Sequence, residues 1–167
     1  MKIENPAAFQ FFLPEDIYLI NKDKTVFINK VPAASVNEIP VVTFNYLGAN
    51  KKNFLVIVHY TDTEFIDDKH LTALENTIKR LGLSTDEIAV FNRARYPDVV
   101  FDDLVFFFMP VKLLFLGKNA LIPNMETIQM NTLKAIGKSK ALFTFGFEEM
   151  MDNTENKKVF WEQMKQL

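Results

Sequence analysis

The chain has 167 residues, 49% of them hydrophobic and 24% charged, with a formal net charge of −2. That length suits one domain with a packed core, and the lack of a long basic stretch argues against binding nucleic acid through charge alone. Cysteine is absent, so disulfides, thiolate metal sites and cysteine nucleophiles are excluded, as befits a cytoplasmic protein.

The N-terminal residues, MKIENPAAFQFF, lack the long apolar core of a signal peptide. Asn5 and Pro6 supply a cap and a first helical position for a short helix through Leu13, which Pro14 ends. Phe9 and Phe12 share a face of it with Leu13. Ile17–Ile20 and Thr25–Val31 are strand-like around the turn at 21–24. A loop follows between Pro32 and Pro40. Val41–Leu47 is strand-like, with a turn at 48–50. Residues 1–50 are therefore expected to form an arm or hairpin extension, and residues 51–167 an α/β sandwich, within one domain overall.

The regular part begins at Asn53–Tyr60 (NFLVIVHY), a strand pattern. A helix pattern follows over Phe65–Leu81, where Leu71, Leu74, Ile78 and Leu81 form one apolar stripe and Gly82 supplies the stop. Ile88–Asn92 is the next strand, so the order reads as a βαβ unit. A polar loop, Asn92–Tyr96, carries Arg93 and Arg95. Pro97-Asp98 opens a second helix pattern that ends before Pro110, and Val111–Leu116 is a strand closed by Gly117. The apolar run Leu104–Leu116 is broken by Pro110 and Lys112, and is shorter than the ~20 residues a spanning helix needs. Ile122-Pro123-Asn124 is a turn, and Thr127–Leu133 has no decisive period. Ala141–Phe145 is a strand, and a last helix spans about Asn153–Gln166 with Val159, Phe160, Met164 and Leu167 on its apolar side. Together these predict a three-layer α/β/α sandwich around a mostly parallel sheet of four or five strands.

The aromatic content is lopsided, with 17 Phe against 1 Trp and 4 Tyr. Phenylalanine has no polar tip, so most rings belong in the core, and a surplus suits a partner surface. Trp161 beside Phe160 is expected to dock the last helix; left exposed, it would suit a partner contact. The rings near the start, Phe9, Phe11, Phe12 and Tyr18, are equally core or anchor.

In open α/β sheets, ligands bind at the carboxyl ends of the strands. The first strand-to-helix turn, Thr61-Asp62-Thr63-Glu64, has no glycine to admit a phosphate and carries two carboxylates. A strand-end pocket would be built from His59, Asp62, Asn92, Arg93 and Asn119. His59 and Asp62 are residue types for an acid–base pair, but no nucleophile or third orienting group accompanies them. A sideways histidine and a helix-capping aspartate are therefore the favoured reading. His70 falls on the polar face of the helix and is expected to be solvated. Two histidines and no cysteine make a catalytic zinc site improbable, so neither metal nor cofactor is expected. Asp67-Asp68 fits a helix start for dipole reasons.

Leu116-Gly117-Lys118-Asn119-Ala120-Leu121 after a hydrophobic strand is similar to the strand-Leu-Gly-x-x-Ala-Leu element of the uracil-DNA glycosylase superfamily. The superfamily's reaction also needs a Gly-x-Asp-Pro-type motif after the first strand and a histidine motif after the last. Those places read His59-Tyr60-Thr61-Asp62-Thr63 and Phe145-Gly146-Phe147-Glu148, so the resemblance implies the scaffold without the base-excision chemistry. The layout resembles the psi subunit family of bacterial DNA polymerase III, including the closing pattern Lys157, Lys158, Phe160 and Trp161. That resemblance spans roughly residues 53–167. It implies a glycosylase-like fold without activity, acting as an adapter between the clamp loader and the chi subunit. The arm at residues 5–20 occupies the place of the family's loader-docking peptide. On this reading Phe9, Phe11, Phe12 and Tyr18 bind a protein partner, and no direct nucleic-acid or membrane contact is expected. The rival reading is a small-molecule or nucleotide-binding domain, hydrolytic or not, using the strand-end residues; a glycosylase relative that binds DNA without cutting it would need a basic groove.

Overall fold

The computed structural model describes residues 42–123 and 125–167. The expectations for the helix at 6–13, the strands at 17–20 and 25–31, and the rings Phe9, Phe11, Phe12 and Tyr18 lie outside the described residues. The compact unit begins at Val42. Its strands are β1 (Leu47–Gly48), β2 (Phe54–Val58), β3 (Ile88–Asn92), β4 (Lys112–Leu116), β5 (Thr132–Ile136) and β6 (Ser139–Thr144). Its helices are α1 (Asp68–Arg80), α2 (Phe101–Phe108), α3 (Phe147–Asp152) and α4 (Thr154–Met164). Among the described residues, no helix is long and apolar enough to cross a membrane.

The six strands form one sheet in the order β1-β3-β2-β4-β6-β5. The central four, β3-β2-β4-β6, are parallel, while β1 and β5 run antiparallel along the two edges. The mixed α/β class and the mostly parallel sheet are as expected, but the sheet has six strands rather than four or five. The added edge strand β5 overlaps the undecided stretch Thr127–Leu133 at Thr132 and Leu133, and its remaining residues carried no expectation. It turns into β6 through Gly137, whose φ of +55° suits glycine. Of the expected 41–47 strand, Leu47 alone pairs in the sheet among the described residues, and Gly48 belongs to the strand rather than to a turn.

Alternation along β2 sorts the core into two layers. Leu55 and Ile57 face α2, together with Phe91, Leu104, Phe108 and Phe115. Phe54, Val56 and Val58 face α1, α3 and α4, together with Leu74, Ile78, Phe147 and Phe160. Every residue of β2 and β3 is buried, as expected of strands covered on both faces. Each fully buried aliphatic contributes about 1.5–3 kcal/mol. Helix α1 starts at Asp68, three positions after the expected Phe65, because the Asp67 carboxylate accepts from Lys69 N at 2.9 Å and caps it. Asp62 is not the cap. Asn153 caps α4 in the same way. Trp161 is half-buried against the α1 side of the core, with the Arg80 guanidinium 5.8 Å from its ring centre.

Gly48 holds the β1 edge tightly against the turn before β3. Its φ is +98°, and a Cβ there would lie 2.3 Å from Ile88 O and 2.6 Å from Thr85 O. Both obstacles are backbone, so neither can swing aside. Gly48→Ala is expected to cost roughly 2–3 kcal/mol in urea unfolding. Gly137→Ala, with nothing within 4 Å of the new Cβ, is expected to cost about 1 kcal/mol. Equal losses would mean that the close approach at Gly48 carries no weight.

Candidate functional site at the carboxyl ends of the strands

Parallel pairing aligns the carboxyl ends of the central strands: Val58 lies opposite Asn92, Ile57 opposite Phe115, and Leu116 opposite Thr144. The segments leaving these ends surround two adjoining hollows. One, of about 420 Å³, is lined by His59, Thr61, Asp62, Lys118, Asn119, Glu148 and Glu149, with Gly117 and Gly146 in its wall. The other, of about 410 Å³, is lined by Tyr60, Asp62, Thr63, Asp67, Lys69, His70, Glu148 and Asp152. The two glycines lie side by side: a Cβ on Gly117 would make ordinary contact with the Gly146 Cα at 3.6 Å, so its φ of +85°, rather than lack of room, calls for glycine.

Of the five expected pocket residues, His59, Asp62 and Asn119 share the first hollow. Asn92 and Arg93 do not line it. Asn92 is 1% exposed, and its amide is wholly engaged in the fold. Its Oδ1 accepts from Tyr60 N at 2.9 Å and Ala94 N at 3.2 Å. Its Nδ2 donates to the carbonyls of Tyr60, Thr63 and Glu64 at 2.8, 3.0 and 3.1 Å. It thus clamps the connection after β2 to the end of β3. Arg93 donates to Asn119 O at 2.8 Å, and Arg95 donates twice to Thr63 O, at 3.2 and 2.9 Å. Both arginines brace loops. His59 and Asp62 share no hydrogen bond; Asp62 is exposed, while His59 is half-buried with its Nδ1 enclosed and unpartnered among the described residues.

His70 corrects an expectation. It is buried, with 6% exposed. Its Nδ1 lies 2.8 Å from the Tyr60 hydroxyl, and its ring stacks on Phe147 at 5.6 Å. Polarity read along α1 alone points this face to solvent, but α3 covers it. The sign of α3 was present in the sequence: Gly146 is followed three residues on by Glu149, whose carboxylate accepts from Gly146 N at 2.8 Å, a helix-start pattern.

Burial raises the Tyr60 phenol well above its ordinary pKa, and the carboxylates of Asp67 and Glu148 push it further the same way. A phenol that resists ionisation in the folded state stabilises the fold below its unfolded pKa of about 10, and that contribution is lost as pH rises beyond it. Tyr60→Phe is therefore expected to flatten the fall in melting temperature between about pH 9 and 11. An unchanged slope would exclude Tyr60 as its source.

Chemically, the hollows are acidic. Asp62, Asp67, Glu148, Glu149 and Asp152 line them against Lys69 and Lys118. This field disfavours phosphates. Among the described residues, no group of three His, Asp or Glu side chains is placed to hold a metal ion. No protein-family model matches the chain, and no curated protein matches it either.

Proposed function

We propose that the chain is a non-enzymatic adapter resembling the psi subunit family, built on a uracil-DNA glycosylase-like sandwich and working in the cytoplasm in a replication or DNA-maintenance complex. One observation carries this reading: Phe106, Met109 and Val111 are 86%, 69% and 54% exposed. Three large apolar side chains close together in sequence on the surface suit protein contact. The acidity of the strand-end hollows, together with the binding of Asn92, Arg93 and Arg95 into the fold beside them, supports a scaffold over a catalyst. The turn Lys118–Ala120 after β4, with Ala120 buried, supports the scaffold part of this reading.

The test is to purify the tagged full chain, and the chain lacking residues 1–20, from its own cells. Recovery of clamp-loader subunits that disappears on truncation supports the adapter and assigns Phe9, Phe11, Phe12 and Tyr18 to its anchor. Neither form bringing down a replication protein would sink the reading.

A second reading, a small-molecule or nucleotide-binding domain, is favoured by a different observation. Three buried polar atoms without partners among the described residues, His59 Nδ1, Thr63 Oγ1 and Arg93 Nε, lie on the segments that leave β2 and β3 at their carboxyl ends. Such groups are costly unless something satisfies them. A rise in melting temperature with a nucleoside, and none with its triphosphate, would support this reading.

A further inference from the structure

At the opposite end of the sheet, the amino ends of β4 and β6, a groove of about 580 Å³ runs between α2 and the β5–β6 hairpin. Phe101, Val105 and Met109 form its helical wall, and Pro110, Val111 and Ile136 continue the apolar lining. The exposed Phe106 stands one helical turn from Asp102 and nearly one from Met109, on the rim. The solvent side of helix α2, FDDLVFFF, pairs two carboxylates, Asp102 and Asp103, with Phe106, which is 86% exposed; so large an exposed apolar side chain beside an apolar groove marks a contact surface. Met109 departs from local preference too. It caps α2 at φ +45°, a left-handed position where glycine or asparagine is usual. Here it displays a large apolar side chain instead.

Charge states what the occupant is. Asp102 lines the groove and Asp103 is its exposed neighbour; neither forms an ion pair among the described residues. Glu126, also at the groove, is already held by Lys134 at 2.9 Å. Lys138 stands on the hairpin wall, so an occupant's cations belong on its α2 side. A second copy of the chain pairing through this helix would bring two more carboxylates and no cation, because Phe101–Phe108 contains no Lys or Arg.

Resting on the adapter reading, we propose that this groove takes a basic amphipathic segment of a different protein, with apolar side chains seated between α2 and the hairpin and Lys or Arg over Asp102 and Asp103. Helix-in-groove docking of this type combines apolar anchors with rim charges that select the partner.

The experiment uses the full chain with labelled methyl groups and two synthetic peptides of roughly four helical turns. Both carry leucines at i, i+3, i+4 and i+7; one has lysines elsewhere, the other glutamates. The lysine peptide is expected to bind saturably, shifting the methyls of Val105, Met109, Val111 and Ile136. The glutamate peptide should bind at least about tenfold more weakly, and Asp102→Asn with Asp103→Asn should abolish that preference. Phe106→Gln with Met109→Gly removes the apolar rim while keeping a helix former and a better left-handed residue. This pair should fold as well as the parent and lose affinity about tenfold. Equal affinity for the two peptides, shifts confined to other residues, or no binding would overturn the inference. A concentration-dependent dimer that the rim substitutions abolish would overturn it in favour of a second copy. Purifying the rim variant from its own cells separates the two readings. Partners retained by the variant would defeat the groove and leave the adapter standing. Partners absent even from the parent would defeat the adapter, while the peptide titration still decides the groove.

Discussion

Asn92→Asp, a near-isosteric change, is expected to cost about 3–5 kcal/mol at neutral pH. The Asn92 Nδ2 faces three carbonyl oxygens, those of Tyr60, Thr63 and Glu64. An anionic oxygen in its place meets three acceptors and no donor, at a residue only 1% exposed. The new carboxyl would hold its proton in the folded state, so its folded pKa rises above the unfolded value of about 3.9. The fold is then relatively better off below that value and worse off as pH climbs through the raised one. Asn92→Ala is expected to cost about 2–3 kcal/mol, because it strands the Tyr60 N–H and the same carbonyls without adding a charge. Urea unfolding of both variants at pH 4 and pH 7 checks this. The gap between aspartate and alanine should open on going to pH 7; a gap that stays closed would show that the amide clamp is not what the geometry implies.

The second large effect is expected at Phe91. Phe91 is fully buried on β3 and sits among Phe44, Tyr96 and Phe108, with ring centres 5.3, 5.2 and 6.0 Å away. Removing it leaves a cavity beneath α2 and breaks three aromatic contacts together. Phe91→Ala is expected to lower stability by about 3–5 kcal/mol, with Phe91→Leu costing under half of that because most of the volume is kept. Phe106→Ala, a change of the same chemistry on the surface, should stay within about 0.5 kcal/mol. Comparable losses at the two positions would contradict the burial assigned to them.

The four central strands could all be read from the sequence, because each carries a short apolar run closed by turn residues. Phe54–Val58 is apolar throughout, Ile88–Asn92 is apolar up to Asn92, and the latter was placed residue for residue. β5 escaped notice because Thr132–Ile136 is five residues long and mostly exposed or half-buried at an edge, too short and too weakly apolar for its alternation to stand out. α3 has six residues, too few for a helical period to declare itself. That gap explains the misreading of His70, whose surroundings come from α3 as well as from α1. Asn92 was found as a residue of the right type in the right place, but its role depends on carbonyls 28 to 32 positions back along the chain. No spacing rule reaches that far. The acidity of the strand-end hollows was partly visible, in Asp62 after β2 and Asp67 ahead of α1. The rest comes from α3.

The strand order also bears on how the chain is made. β2 lies in the middle of the sheet with β3 and β4 on its two sides, yet among the parallel strands it leaves the ribosome first. Its hydrogen-bonding edges stay open until β3, and then β4, have been translated. The β5–β6 pair is joined as a hairpin, but it closes the far edge, so it cannot template the centre. Phe54–Val58 carries no charge, and an open strand of that kind is prone to aggregation. Lys51 and Lys52, both exposed just ahead of it, stand where charged gatekeepers protect such a segment. In the folded chain the same lysines reach Asp86 at 2.8 Å and Glu87 at 3.7 Å, surface pairs that add little to stability.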